Sequence, residues 1–308
     1  MTRISTVAAP RRRAGKESQR RLAFWLLLPA AIAVFGVIVY PIIRTLIISF
    51  FEVNSALAVE TPFIGIDNYL QALSSSGFWA AIGRTLYFTV VSTAIELTLG
   101  MMLALLLNAR LRMRWLFRAI VVLPWAVPTI VNAAMWKGIF NAQYGSLNAA
   151  LTGLGITDEY IAWLGHPFLA LNMVIVADAW KTTPLVAFFL LAGLTVISPE
   201  LYESAKLDRA SWPRIFRSIT LPMLLPSISI VLVLRTVEAF KAFDIIYAMT
   251  RGGPADGTQT IAYYTYVRAF SDQNFGMGSA LSYIIVIVIL ILTAIYLKML
   301  RQAETSLV

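Results

Sequence analysis

The sequence contains no cysteine and a single histidine. Disulfides, thiol catalysis and cysteine-based metal sites are therefore excluded. His166 stands alone beside Pro167 in a polar connection, where an isolated imidazole is a surface residue far more often than a ligand. Charge is also scarce, at 13% of residues against 59% hydrophobic. No Gly-x4-Gly-Lys-Ser/Thr phosphate loop, His-Glu-x2-His metal motif or Gly-x-Ser-x-Gly nucleophile motif occurs. Nothing in this chain is equipped to hydrolyse a nucleotide. An intramembrane hydrolase would need a nucleophile and base, or a metal set, that these residues do not supply.

What remains is apolar surface in an amount no soluble domain hides. A mean hydropathy of +0.75 over 308 residues places the chain among all-α polytopic membrane proteins. Six apolar segments reach the roughly 20 residues a bilayer requires: 22–50, 86–108, 116–139, 168–196, 221–243 and 280–300. Residues 1–21 read as a basic, disordered cytoplasmic tail, 22–300 as one transmembrane domain and 301–308 as a second cytoplasmic tail. The run after Arg21 is too long for a cleaved leader and lacks a small-residue cleavage site.

The net charge of +9 is distributed in a way that points to membrane orientation, not to nucleic acid. Seventeen Lys and Arg fall on the side of both termini, including Arg11 to Arg13, Arg112, Arg118, Lys206 and Arg217. Five fall on the other side: Arg84, Lys137, Lys241, Arg251 and Arg268. By the positive-inside rule both termini are cytoplasmic. The outer connections are long, about 35, 28 and 36 residues, and fit either plain connectors or a landing surface for an external partner. Residues 261–266, Ile-Ala-Tyr-Tyr-Thr-Tyr, suit a short helix at the outer interface.

Ionisable residues inside spans are costly and therefore candidates for function. In the fourth span Asp178, Lys181 and Thr182 stand at i, i+3 and i+4 on one helical face, with Trp180 close by. Pro184 leaves the Trp180 carbonyl without its helical donor and favours a kink. In the fifth span Arg235, Glu238 and Ala242 follow at i, i+3 and i+7. Two readings stay open. One is a pair of structural ion pairs, Asp178–Lys181 and Arg235–Glu238, each within its own helix. The other is a polar passage for a polyhydroxylated substrate. Glu96, in the second span, has no partner at helical spacing and ranks below both clusters.

Between the fourth and fifth spans lies an amphipathic cytoplasmic segment, 198–222, too long for a plain connector. Glu203, Ser204, Ala205, Asp208, Arg209 and Ala210 permit close approach of another protein, and Leu207, Trp212, Ile215 and Phe216 supply apolar anchors, as in helix-in-groove recognition.

Glu203-Ser204-Ala205, three residues, then Arg209, with Ile219-Thr220-Leu221-Pro222 further on, resembles the Glu-Ala-Ala loop of ABC-importer permeases. Ser204 departs mildly from that pattern, and Arg209 stands where the pattern has Gly. Leu123-Pro124-Trp125-Ala126-Val127-Pro128, Trp136-Lys137-Gly138-Ile139-Phe140-Asn141 and Gly252-Gly253-Pro254 are similar to the carbohydrate-uptake, maltose-type branch. The likeness covers nearly the whole chain and is strongest to mycobacterial trehalose-importer permeases. It implies the type I importer permease fold and a disaccharide cargo, with trehalose foremost. It also implies sugar contacts at Asp178, Lys181, Thr182, Arg235, Glu238, Ala239 and Ala242, several of them charged where the maltose relatives are neutral. The implied partners are a homologous second permease, two ATPase subunits that bind ATP and Mg, and an extracytoplasmic sugar-binding (lipo)protein. The competing expectation is a stand-alone, proton-coupled sugar transporter relaying protons through Asp178, Glu238 or Glu96.

Overall fold

The computed structural model describes residues 13–55, 60–109 and 112–305. Among them there is no strand, only an isolated bridge between Phe51 and Phe63. The chain opens with α1 (Arg13–Ala33), which continues through a π-helical turn over Val34–Val39 into α2 (Tyr40–Ile48). Residues 13–21 of the expected disordered tail are thus the first turns of the first helix; residues 1–12, with Arg3, Arg11 and Arg12, lie outside the described residues, as do Arg110 and the last three residues of the C-terminal tail.

A short helix α3 (Asp67–Ser74) precedes α4 (Ser76–Asn108). At 33 residues α4 starts ten positions earlier than the apolar run alone suggests. Its first turns carry Ser76, Gly77 and Arg84, which hydropathy reads as loop, yet Phe78 and Ala81 are buried there and Arg84 Nε donates to the Gln259 carbonyl at 2.9 Å. The expected third span is broken. Its first half is α5 (Arg114–Ala126) and its second α6 (Thr129–Ile139), meeting at 91°. Pro128 disfavours a helical Val127 and removes a donor, and Val127 is extended here, so the helix stops and restarts with Pro128 as the residue before α6. Among the described residues five helices are long and apolar enough to cross a membrane, six if this bent pair counts as one span.

After α7 (Ser146–Gly153) comes α8 (Pro167–Val196), the centre of the molecule, with 14 of its 30 residues buried. It runs through Pro184 without ending there. Thr182 and Thr183 hydroxyls donate back to the carbonyls of Asp178 and Ala179 at 2.6 Å each, as Ser and Thr do within helices. Next come α9 (Pro199–Leu207) and α10 (Trp212–Ile215), a π-helical turn over Phe216–Thr220, then α11 (Leu221–Phe240). The fifth span is helical from Trp212 onward, so the second half of the expected 198–222 loop belongs to it. Trp212 and Phe216, read as docking anchors, stack on each other at 5.5 Å on that first turn. The chain closes with α12 (Asp244–Met249), α13 (Ile261–Tyr266) and α14 (Phe275–Thr305). The short tyrosine helix forms as expected, but Tyr263 and Tyr264 are buried against the bundle.

Three contacts fix how α4 and α8 lie together. Tyr87 OH donates to Asn172 Oδ1 at 2.9 Å, Thr182 donates to Glu96, and Gly100 meets Val186. The nearly constant offset along both chains makes the helices parallel and in register. Gly100 is required by this approach: a Cβ there would lie 2.6 Å from Val186 Cγ1. Gly193 of α8 likewise accommodates Leu224 and Ser227 of α11. Small residues at such crossings let helix backbones come close, which is how packing energy is gained in lipid. Above these crossings Phe88, Val174, Ile175, Ile246 and Met249 form one apolar cluster; below, Leu107, Leu190, Leu194 and Leu224 form another.

Candidate functional site

Between the two apolar clusters α4, α8 and α11 bring ionisable side chains together. Arg235, nearly buried on α11, directs its guanidinium at Glu96 of α4: Nε lies 2.5 Å from Oε2 and Nη2 2.8 Å from Oε1. Nη2 also donates to Asp178 Oδ2 of α8 at 3.1 Å. The Thr182 hydroxyl stands 2.7 Å from Glu96 Oε1 as well as 2.6 Å from the Asp178 carbonyl; its one proton serves one acceptor at a time. Glu96 is fully buried. A buried carboxylate of this kind is tolerated only when paired and hydrogen-bonded, and a two-pronged guanidinium pair is the strongest partner available to it.

The intrahelical pairs expected from spacing do not form. Glu238 pairs instead with Lys241 at 3.1 Å, at an exposed rim, where such a bridge contributes about 0–1 kcal/mol. Lys181 reaches across to Thr129 Oγ1 at 3.0 Å, at the start of α6 just beyond the break in the third span. The physical reason is competition for Arg235. Glu96 faces it across the bundle and fills two donor positions at once, which leaves Glu238 to its exposed i,i+3 neighbour Lys241. Glu96 ranked low because spacing along one helix says nothing about a partner on another. Its signal was present nonetheless, as a lone carboxylate in the middle of an apolar span. Thr129 carried no signal at all, since its position depends on the break at Val127-Pro128.

Asp178, Lys181, Thr182, Arg235, Glu238, Ala239 and Ala242 all line one cavity of about 390 Å³, together with Thr129, Lys241, Phe243, Asp244 and Ile245. Trp180 points elsewhere, its ring edge against Trp136 at 5.9 Å. The lining offers carboxylates, an ammonium, a guanidinium and hydroxyls, a mixture of donors and acceptors matched to a ligand rich in hydroxyl groups. The volume lies within the ~300–1,000 Å³ usual for small-molecule sites.

The second feature is α9. Ser198 caps its start, accepting from Glu200 N at 3.3 Å, with Pro199 in the first turn. Its end is a Schellman turn: Ala210 N donates to Ala205 O at 2.9 Å and Arg209 N to Lys206 O at 3.0 Å. Arg209 takes the left-handed conformation there, at φ +55°, the geometry for which Gly is suited. The Arg-for-Gly departure therefore leaves the turn intact at a conformational cost. Glu203, Ser204, Asp208 and Arg209 are exposed, and Leu207 is 84% exposed. Tyr202 turns the other way, its hydroxyl 3.2 Å from that of Thr220, tying α9 to the beginning of the fifth span.

A bundle of apolar helices around a polar cavity, with an exposed helix capped at both ends, fits a transport permease. The fold is that of ABC-importer permeases: the chain superposes on that of a bacterial ABC transporter involved in import of the acidic polysaccharide alginate with a TM-score of 0.82, covering 94% of this chain and 99% of that one at 24% identity. The chain belongs to the family of binding-protein-dependent transport system inner membrane components, whose pattern it matches over residues 96–304. It is 40% identical over 283 residues to the trehalose/maltose transport system permease protein MalF of Thermococcus litoralis, covering 92% of this chain and 95% of that protein. It is 34% identical to the trehalose transport system permease protein SugA of Mycobacterium tuberculosis, covering 95% of this chain and 92% of that one.

Proposed function

We propose that this chain is the sugar-translocating subunit of an ATP-driven importer, taking a disaccharide from outside into the cytoplasm. The convergence of seven residues from two spans on one charge-lined cavity carries the reading, and relatives described as trehalose and trehalose/maltose permeases support it. Trehalose is the leading cargo. The chain works with a homologous second permease, two ATPase subunits that hold ATP and Mg, and an extracytoplasmic sugar-binding (lipo)protein. It sits in the bacterial inner membrane with both termini in the cytoplasm.

Force enters through α9. Helices capped at both ends resist unwinding, so closure of the ATPase dimer against Glu203, Ser204, Ala205, Asp208, Arg209 and Ala210 displaces α9 as a unit. Two residues join it to α8, four join it to the fifth span, and the Tyr202–Thr220 contact adds a tie. Those two spans carry Asp178 and Arg235. Motion of α9 thus reaches the cavity through the helices that build it, and a mobile hinge is not required.

The test is uptake of labelled trehalose into proteoliposomes. With the second permease, ATPases and binding protein present, uptake requires ATP. Glu203→Lys is expected to leave at least half of the ATP hydrolysis while reducing uptake about tenfold or more. Uptake by this chain alone, driven by a proton gradient, would instead establish the secondary-transporter reading.

A further inference from the structure

We propose that Glu96 sets the charge selectivity of the cavity, making it accept neutral sugars and reject acidic ones; this rests on the cavity being the sugar passage. Arg235 would otherwise be the natural anchor for an acidic sugar, because a guanidinium holds a carboxylate through two parallel N–H bonds. Such a fork can use either the Nε/Nη2 edge or the Nη1/Nη2 edge. Glu96 occupies the first edge entirely. The second edge shares Nη2, whose two protons go to Glu96 Oε1 and Asp178 Oδ2. Only Nη1, which has no protein partner among the described residues, is left. It can donate single bonds to sugar hydroxyls but cannot form a fork.

The charge balance acts in the same direction. Asp178, Glu238 and Asp244 line the cavity against Lys181, Arg235 and Lys241, and Glu96 behind Arg235 makes the sum one negative charge. Replacing Glu96 by Gln leaves one acceptor oxygen in place of two, so one donor on the Nε/Nη2 edge of Arg235 loses its partner, and the sum comes to zero. Thr182, which holds Glu96 Oε1 from α8, keeps the carboxylate aimed in the native protein. Glu96 is therefore a positioning residue acting through Arg235.

The probes are trehalose and trehalose oxidised at one C6 to the carboxylate, which differ mainly in one charge. Binding of each is measured by equilibrium dialysis on the purified membrane complex in detergent, this chain with the second permease and the ATPases, leaving out the binding protein, whose own sugar site would mask the cavity. The wild type is expected to bind the neutral sugar at least about tenfold more tightly, the scale of one unit charge at close range. Glu96→Gln should shrink that ratio about tenfold, Glu96→Asp should keep it, and the double variant Glu96→Gln/Arg235→Gln should restore rejection of the acid. Equal weakening of both sugars in Glu96→Gln, or an unchanged ratio, overturns the proposal. Should that variant not fold, Asp178→Asn also brings the charge sum to zero and must shift the ratio in the same direction; no shift overturns it equally. Ala242→Trp narrows the cavity while leaving the residues at positions 96 and 235 unchanged. Trehalose binding that survives it would show that the sugar passes elsewhere, and would overturn both readings together.

Discussion

Arg209 is where a single residue departs from what its backbone position favours. A non-glycine side chain in the left-handed region costs ~1–2 kcal/mol, and Arg209 holds that conformation at φ +55° because the Schellman turn closing α9 demands it. Arg209→Gly should raise the thermal stability of the purified complex by up to about 1 kcal/mol, read as an upward Tm shift. Because the turn is already formed, the same variant should leave α9 in place, and any loss of coupling would report a contact of the Arg side chain with the ATPase. At this scale the sequence was legible as far as spacing along one helix can be read. All seven expected cavity residues do converge, because i, i+3 and i+4 positions share a face. The partners of the charges were not legible: Glu96 lies 139 positions from Arg235 in sequence, and no periodicity connects them.

The elements depend on close approach as much as on apolar content. Gly100 and Gly83 both lie in α4, so helix propensity treats them alike, yet their surroundings differ. A Cβ on Gly100 would collide with Val186 and come within 3.2 Å of the Ala187 nitrogen, whereas one on Gly83 meets nothing within 4 Å. Val186 is β-branched and cannot swing aside. Gly100→Ala should therefore destabilise by ~1–3 kcal/mol through overpacking, and Gly83→Ala should be neutral or stabilising by ~0.5–1 kcal/mol. Thermal unfolding in detergent checks the pair, and equal effects would contradict the parallel α4–α8 register described above. Hydropathy found every apolar run but misplaced where helices begin and break. It reads composition, while the start of α4 is set by packing of Phe78 and Ala81, and the break between α5 and α6 by one proline. Thr129 reaches Lys181 only because of that break.

For the whole molecule the central question is which end faces the cytoplasm, since α9 can receive force from ATPases only there. The asymmetry of Lys and Arg argues for α9 on the cytoplasmic side. Arg84, counted with the outer side, sits within α4 with its Nε committed to the Gln259 carbonyl, and Lys137 ends α6; Arg214 and Arg217 on the other side likewise fall on the first turns of the fifth span. Translocation-opposing charge of this kind acts near the ends of spans, and the expected orientation has Lys206, Arg209, Arg214 and Arg217 inside. The absence of native cysteine makes the test direct, since any introduced thiol is the only one in the chain. Ser204→Cys on α9 and Asp158→Cys in the connection after α7 are both exposed. A membrane-impermeant maleimide should label position 204 in inside-out vesicles alone and position 158 in right-side-out vesicles alone. The reverse pattern would put α9 outside, beyond the reach of ATP, and would end the importer reading however well the cavity suits a sugar.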